Sequence, residues 1–291
     1  MPAEWEPHAG CYLIWPERPD NWRLGAKPAQ AAFSAVAEAI ASTEDVTVVV
    51  SAAQYANARE RLPAHVRVVE MSTNDAWVRD SGPSFVTDDQ GGLRAVSWQF
   101  NAWGGLRGGL YFPWDADNLV GPKIAGLERV ALYEPDLVLE GGAIDTDGEG
   151  TLLTTEECVL NPNRNPGITR EEAEFELCEA LGVDKVIWLR GDPADDETDG
   201  HVDGIACFAR PGVVLTEPDP SVEPGSEREA ILEENIEILR NATDARGRSL
   251  EVHLFRASTQ AEELGDRFCR SYVNFYLANG GIVMPSYGVP D

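Results

Sequence analysis

At 291 residues, with 43% hydrophobic and 25% charged side chains, the chain has the composition of a globular protein long enough for one large domain or two ordinary ones. Its formal net charge of −27 argues against nucleic acid or an anionic membrane as partner, because both require basic surface, and it is compatible with a small cationic substrate drawn in by a negative potential. No stretch of 18 apolar residues and no basic-then-apolar leader occurs, so neither a membrane span nor a signal peptide is expected.

Three lysines (Lys27, Lys123, Lys185) stand against twenty arginines, so the acidity also reads as compositional bias, such as adaptation to salt. The five cysteines, Cys11, Cys158, Cys178, Cys207 and Cys269, are scattered, with no CxxC pair and no zinc-like spacing. Neither a disulfide framework nor a metal is expected, and a reducing cytoplasm fits best.

In chain order, residues 1–27 form a Trp- and Pro-rich loop expected to pack through Trp5, Trp15 and Trp22. Helical spacing of Phe33, Val36 and Ile40 predicts a helix over Ala29–Ser42, and the β-branched run Val46–Val50 predicts a strand. A helix over Ala52–Leu62 and a strand over Val66–Glu70 follow, then the loop NDAWVRDSGP and a strand over Arg94–Phe100. Asp117–Leu127 reads as helix, Arg129–Tyr133 as strand, and Ala143–Asp147 with Gly150–Thr155 as a hairpin turning at Asp147-Gly148. Thr169, with Glu172 three residues on and Gly182 beyond Leu181, spells a capped helix. Strands at Lys185–Leu189, Gly204–Phe208 and Val213–Thr216, a helix over Ser226–Asn241, and strands at Glu251–Phe255, Tyr272–Leu277 and Gly281–Met284 complete the chain. Strand pairs alternate with single helices every 50–60 residues or so, the mark of repeated α/β units, and no Pro/Ser-rich linker divides residues 1–291, so a single domain is expected.

Four stretches carry candidate chemistry. DETDGHVDG, Asp196 to Gly204 with Asp195 upstream, gathers five acids around His201. If the following strand already begins there, His201 and Asp203 share one face, a way of holding an imidazole in a chosen tautomer. The alternative is a solvated acidic loop with a capping histidine. In NDAWVRDSGP, Asp80 and Trp77 offer a carboxylate and a ring face to a flat cation, or else Arg79 and Asp80 make a structural pair. In FNAWGGLRGG, Trp103 lies among four glycines, a mobile or closely approached loop. In LEGGAIDTDGEGT, Glu140 is expected at the end of an apolar strand before Gly141-Gly142, either as a buried reactive acid or as a strand-end acid bonded to the turn. The turn-rich NPNRNP is read as ordering a loop.

These motifs, with MPAEWEPHAG, TTEECVLNPNRNP and SYVNFY, occur in the order found in agmatine deiminases, and the whole chain resembles that family of the guanidine-modifying superfamily, beside the bacterial-type peptidylarginine deiminases. The resemblance implies a five-bladed α/β propeller (pentein) of strand–strand–helix–strand units, without cofactor or metal, converting agmatine and water to N-carbamoylputrescine and ammonia through a thiouronium intermediate; a homodimer is plausible on the same basis. It assigns Asp80 and Asp203 to the guanidinium clamp, Glu140 and His201 to acid/base transfer, and Trp77 to the pocket wall; Trp103 is expected among the substrate-binding residues.

One departure matters. The family's nucleophile is a cysteine in a segment of the form GGGxIHCxTQQ, which these 291 residues do not contain. Cys158 and Cys207 stand where the family's cysteines look structural, and Cys11, Cys178 and Cys269 sit in loop, helix and pre-strand contexts. The expectation is an incomplete chain whose last blade and nucleophile lie beyond Asp291; the rivals are a non-catalytic guanidine- or polyamine-binding pseudo-enzyme and a peptidylarginine deiminase-like hydrolase.

Overall fold

A computed structural model describes residues 1–192, 197–218, 222–255 and 271–287. The loop expected at the N-terminus already contains a strand, β1 (Cys11–Ile14), followed by α1 (Lys27–Ile40), β2 (Val46–Val50), α2 (Tyr55–Arg61) and β3 (Arg67–Glu70). β2 lies between β1 and β3, parallel to both, with all five residues buried. A strand covered on both faces can be apolar without alternation, which is why VTVVV reads as a continuous run. Ala37 and Ile40 of α1 pack on Val46, Val48 and Val50 beside Trp15.

The next three units share one plan. α3 (Val78–Ser81), β4 (Ser84–Thr87), β5 (Leu93–Val96), α4 (Gly105–Gly108), α5 (Val120–Glu128) and β6 (Ala131–Tyr133) form the second unit. A 3₁₀ turn (Gly141–Ala143), β7 (Ile144–Thr146), β8 (Thr151–Thr155), α6 (Glu156–Val159), α7 (Arg170–Leu181) and β9 (Lys185–Leu189) form the third. A second 3₁₀ turn (Val202–Gly204), β10 (Ala206–Arg210), β11 (Val213–Thr216), α8 (Glu227–Asn241) and β12 (Glu251–Leu254) form the fourth. In each, the first strand pairs antiparallel with the second, and the second pairs parallel with the third across a helix. The hairpin β13 (Tyr276–Ala278) and β14 (Gly281–Val283) ends the described strands. The architecture is α/β with separate small sheets, and none closes on itself among the described residues.

α7 shows how local chemistry sets an element. The Thr169 side chain accepts from the Glu172 amide at 3.2 Å, while the Thr169 amide donates to Glu172 Oε2 at 2.9 Å. Gly182 closes the helix at φ 64°, a left-handed conformation cheapest for glycine. The strands expected at Arg94–Phe100 and Tyr272–Leu277 are shorter and displaced (Leu93–Val96 and Tyr276–Ala278), and β4 has no counterpart among the predicted elements.

Buried contacts run between units rather than only within them. Val96 and Trp98 of the second unit join Leu152, Val186 and Trp188 of the third, and Leu153 and Leu189 of the third join Phe208 and Val214 of the fourth. This packing holds the starts of the units against one another.

Candidate active site

Each of the three alike units presents its polar residues just before its first strand. Asp80 precedes β4, Glu140 precedes β7, and His201 and Asp203 precede β10. Asp80, His201 and Asp203 meet over Gly142, with Glu140 on the far side of the His201 imidazole. A Cβ at that position would lie 2.6 Å from both Asp203 Oδ2 and His201 Nδ1 and 2.9 Å from Asp80 Oδ1, so glycine is required by the space its neighbours occupy. The Gly142 amide donates to Asp80 Oδ1 at 2.9 Å.

His201 and Asp203 do not share a strand face. His201 is extended at φ −53° and ψ 144°, and Asp203 sits in the 3₁₀ turn, so the pair converges through the turn and β10 begins only at Ala206. Glu140 is likewise extended (φ −106°, ψ 149°), but the segment before it contributes a single bridge, Val138 to Gln99, in place of a full strand. That segment is pinned by Asn165, whose side chain accepts from the Val138 amide at 3.0 Å and donates to the Val138 and Val159 carbonyls at 2.9 and 3.0 Å.

Glu140 has a fully buried side chain, and both its oxygens are engaged. Arg164 Nε donates to Oε1 at 2.7 Å; His201 Nε2 lies 3.3 Å and Cys158 Sγ 3.6 Å from Oε2. Arg164 continues to Asp199 Oδ2 (2.5 Å), Asn163 Oδ1 (2.8 Å) and the Thr198 carbonyl (3.1 Å), tying the acidic loop to Glu140. Burial alone would raise the Glu140 pKa, but the His201 bond and the Arg164 charge hold it below the usual carboxylate value. Burial alone would lower that of His201; the Asp80 charge and the Glu140 bond oppose it, and the imidazole pKa is raised well above its usual value. Its Nδ1 lies 3.9 Å from Asp80 Oδ1.

The second oxygen of Asp80 accepts from Trp103 Nε1 at 3.1 Å. Trp103 is 3% exposed, with Ala102 and Trp103 at φ 55° and 61°, so its glycine-rich surroundings serve close packing. Non-glycine residues held in left-handed conformations cluster where a site fixes them. Trp77, 41% exposed, stands edge-on to Trp103 with centroids 6.1 Å apart. Arg79 pairs with Glu4 at 3.3 Å, and the charges of Asp203 and Asp80 act on its guanidinium as well.

Two contributors lacked a sequence signal. Cys158 reaches Glu140 because β7 and β8 are antiparallel, which puts the residue before one strand and the residue after the other at the same end of the hairpin. Arg164, within NPNRNP, binds Glu140 itself as well as ordering its loop. The donor atoms of Glu140, Cys158 and His201 lie within 4.8 Å of one another, a set that could hold a metal by type, yet the Arg164 guanidinium already occupies the same carboxylate. Burial, then the Glu140 charge, push the Cys158 thiol up to about 11, so it is a neutral donor at pH 7. Asp195, Asp196 and Cys269 lie outside the described residues.

Agmatine deiminase of Pseudomonas syringae pv. tomato is 52% identical over a 311-residue alignment that takes in 100% of this chain and 84% of that protein. Agmatine deiminase of Pseudomonas aeruginosa is 51% identical with the same coverage. The solved structure of agmatine deiminase of Enterococcus faecalis superposes with a TM-score of 0.92 at 45% identity, covering 99% of this chain and 83% of that one. The family model described as Porphyromonas-type peptidyl-arginine deiminase matches residues 1–291, and the chain belongs to that family.

Proposed function

We propose that this is an agmatine deiminase-type hydrolase acting on the guanidinium C–N bond, releasing ammonia and N-carbamoylputrescine from agmatine and water. The observation that carries the reading is the convergence of Asp80, Asp203 and the Glu140–His201 pair over Gly142. Two carboxylates facing a common space suit a planar cation with N–H groups on both edges. Holding it in place converts attack on its central carbon into a step within one complex. His201, cationic and bonded to Glu140, is placed to protonate the departing nitrogen; Glu140 then takes one proton from the water that attacks the thiouronium and returns it to His201, and collapse of the adduct expels the thiolate and releases the second water proton, which leaves with ammonia as ammonium. Trp77 and Trp103 wall the space. The supports are the relatives' names and the burial of the acid/base pair.

The thiolate that attacks the guanidine carbon is, in this reading, none of the four described cysteines. Burial raises the thiol pKa of Cys11 (to about 12), Cys158, Cys178 and Cys207 alike. An arginine substrate would need a cation for its carboxylate, and Arg164, the arginine bonded to Glu140, is committed to Glu140 and Asp199. We read the repeated units as blades of a five-bladed α/β propeller in a single domain over residues 1–291, supported by the shared pairing plan of the units starting at Ser84, Ile144 and Ala206. A cytoplasmic homodimer requiring no cofactor completes the proposal.

Incubating the protein purified from its source with agmatine, arginine and an arginyl peptide tests the assignment. Ammonia and N-carbamoylputrescine from agmatine, at far higher kcat/KM than from the other two, are expected. Binding of agmatine without turnover would favour the guanidine-binding reading, and preference for the peptide would overturn the substrate.

A further inference from the structure

The exposed face of Trp77 owes its orientation to a buried acid that never reaches the guanidine site. Asp75 is 4% exposed. Its Oδ1 accepts from Trp22 Nε1 at 2.7 Å and from the Ala76 amide at 2.9 Å. Its Oδ2 accepts from Trp77 Nε1 at 3.0 Å and from Asn21 Nδ2 at 2.6 Å. One carboxylate thus takes an indole N–H on each oxygen, and the two rings lie stacked at 5.4 Å with 25° between their planes. Asp75 is itself held from behind. Its amide donates to Asp117 Oδ2 at 3.1 Å, Asn74 donates to Asp117 Oδ1 at 2.6 Å, and Tyr111 donates its hydroxyl to Asp117.

Trp22 comes from the N-terminal loop and is braced edge-on by Phe33 of α1 at 6.0 Å. Trp77 is braced on its other side by Trp103, which is bonded to Asp80. The aromatic wall is therefore three indoles fixed by two carboxylates, one in the site and one behind it.

We propose that Asp75 is a positioning residue that clamps Trp22 and Trp77 into a stacked pair and so presets the wall against which a guanidine-bearing chain lies. This rests on the reading that Trp77 borders the guanidine site. A carboxylate suits the role because it offers acceptors only, with enough lone pairs for four donors. Its isosteric amide turns one acceptor into a donor facing an indole N–H, so one ring is released.

The test is circular dichroism of the Trp22–Trp77 exciton couplet in wild type, Asp75→Asn and Trp22→Phe, with agmatine affinity measured by calorimetry on the same samples. Stacked indoles at this distance couple strongly, and Trp22→Phe provides the spectrum without the pair. The couplet of Asp75→Asn should fall most of the way to that baseline, and agmatine should bind about fivefold more weakly, the scale of losing a well-placed ring face. An unchanged couplet with unchanged affinity would overturn the proposal. If Asp75→Asn does not fold, Trp22→Leu decides, since it removes both the stacked ring and its bond to Asp75; wild-type affinity in that variant would refute the preset wall. The couplet is read without ligand, so failure to bind agmatine at all would overturn the proposed function while the couplet still judges the clamp.

Discussion

Replacing Arg164 by methionine removes the guanidinium that holds Glu140 while keeping most of the side-chain volume. Both side chains are fully buried, and the Nε–Oε1 distance is 2.7 Å. Breaking one half of such a pair leaves an uncompensated charge in the interior and costs about 3–5 kcal/mol. At roughly 2–4 °C per kcal/mol for chains of this size, the unfolding midpoint should drop by on the order of 10 °C. The pH dependence has a defined sign. Glu140 has a depressed folded pKa, so its contribution is present above its unfolded value of 4.5 and is lost as pH falls through the folded value. In Arg164→Met the carboxyl gains a reason to stay protonated, so the gap between variant and wild type should be widest near pH 7 and shrink toward pH 4. Urea unfolding of wild type, Arg164→Met, Glu140→Gln and the double variant across that range measures it. The double variant should lose less than the sum of the singles, because neither charge is left alone. Losses that are simply additive and flat with pH would refute the idea that Arg164 compensates Glu140.

Gly142→Ala should abolish agmatine binding with only a modest fall in stability, since its Cβ would press on Asp203, His201 and Asp80 together; calorimetry and thermal melts on one sample separate the two effects. Asp145, pushed up to about 7 by burial and then by Glu4 against the Phe208 amide bond, has a folded pKa above its unfolded one. Its stabilising contribution is therefore full below about pH 4 and lost as pH rises through about 7. Asp145→Asn should gain on wild type across that window and stay level above it, and a constant difference in melts from pH 4 to 8 would contradict this. Cys158→Ser keeps a donor to Glu140 Oε2 and Cys158→Ala removes it. NMR titration of labelled His201 should place serine near wild type and alanine clearly apart, whereas identical curves for all three would mean the thiol only fills space.

Those residues also mark where sequence reading succeeds and where it stops. α7 was legible to the residue because a capping box and a C-terminal glycine act locally. β2 and the β7–β8 hairpin followed from a β-branched run and an Asp-Gly turn. β1 and β4 were missed because each is four residues long beside prolines and aromatics, too short for a periodicity to develop. Asp80, Glu140, His201 and Asp203 stand in motifs that the sequence singles out, and their place in a guanidine site is the proposal made above. Their meeting around one glycine could not be read from those motifs, since it depends on three units packing with their starts together. The Glu140–Cys158 contact required knowing that two strands are antiparallel, and the Asp75 clamp joins a loop residue to one 53 positions later. Trp103 was ambiguous for a simpler reason: glycines permit mobility and close packing equally, and only the observed burial chooses.

The most direct test of the central claim is calorimetric titration of agmatine into the wild-type protein and into Asp80→Asn and Asp203→Asn, with N-carbamoylputrescine, which keeps the amine but has a neutral ureido group in place of the guanidinium, as the control ligand. The account predicts that agmatine binds well above the control and that each substitution, removing a charged partner worth about 1.5–3 kcal/mol, weakens it roughly 10- to 150-fold. Agmatine binding that is indifferent to both substitutions, or no stronger than that of the control, would contradict it.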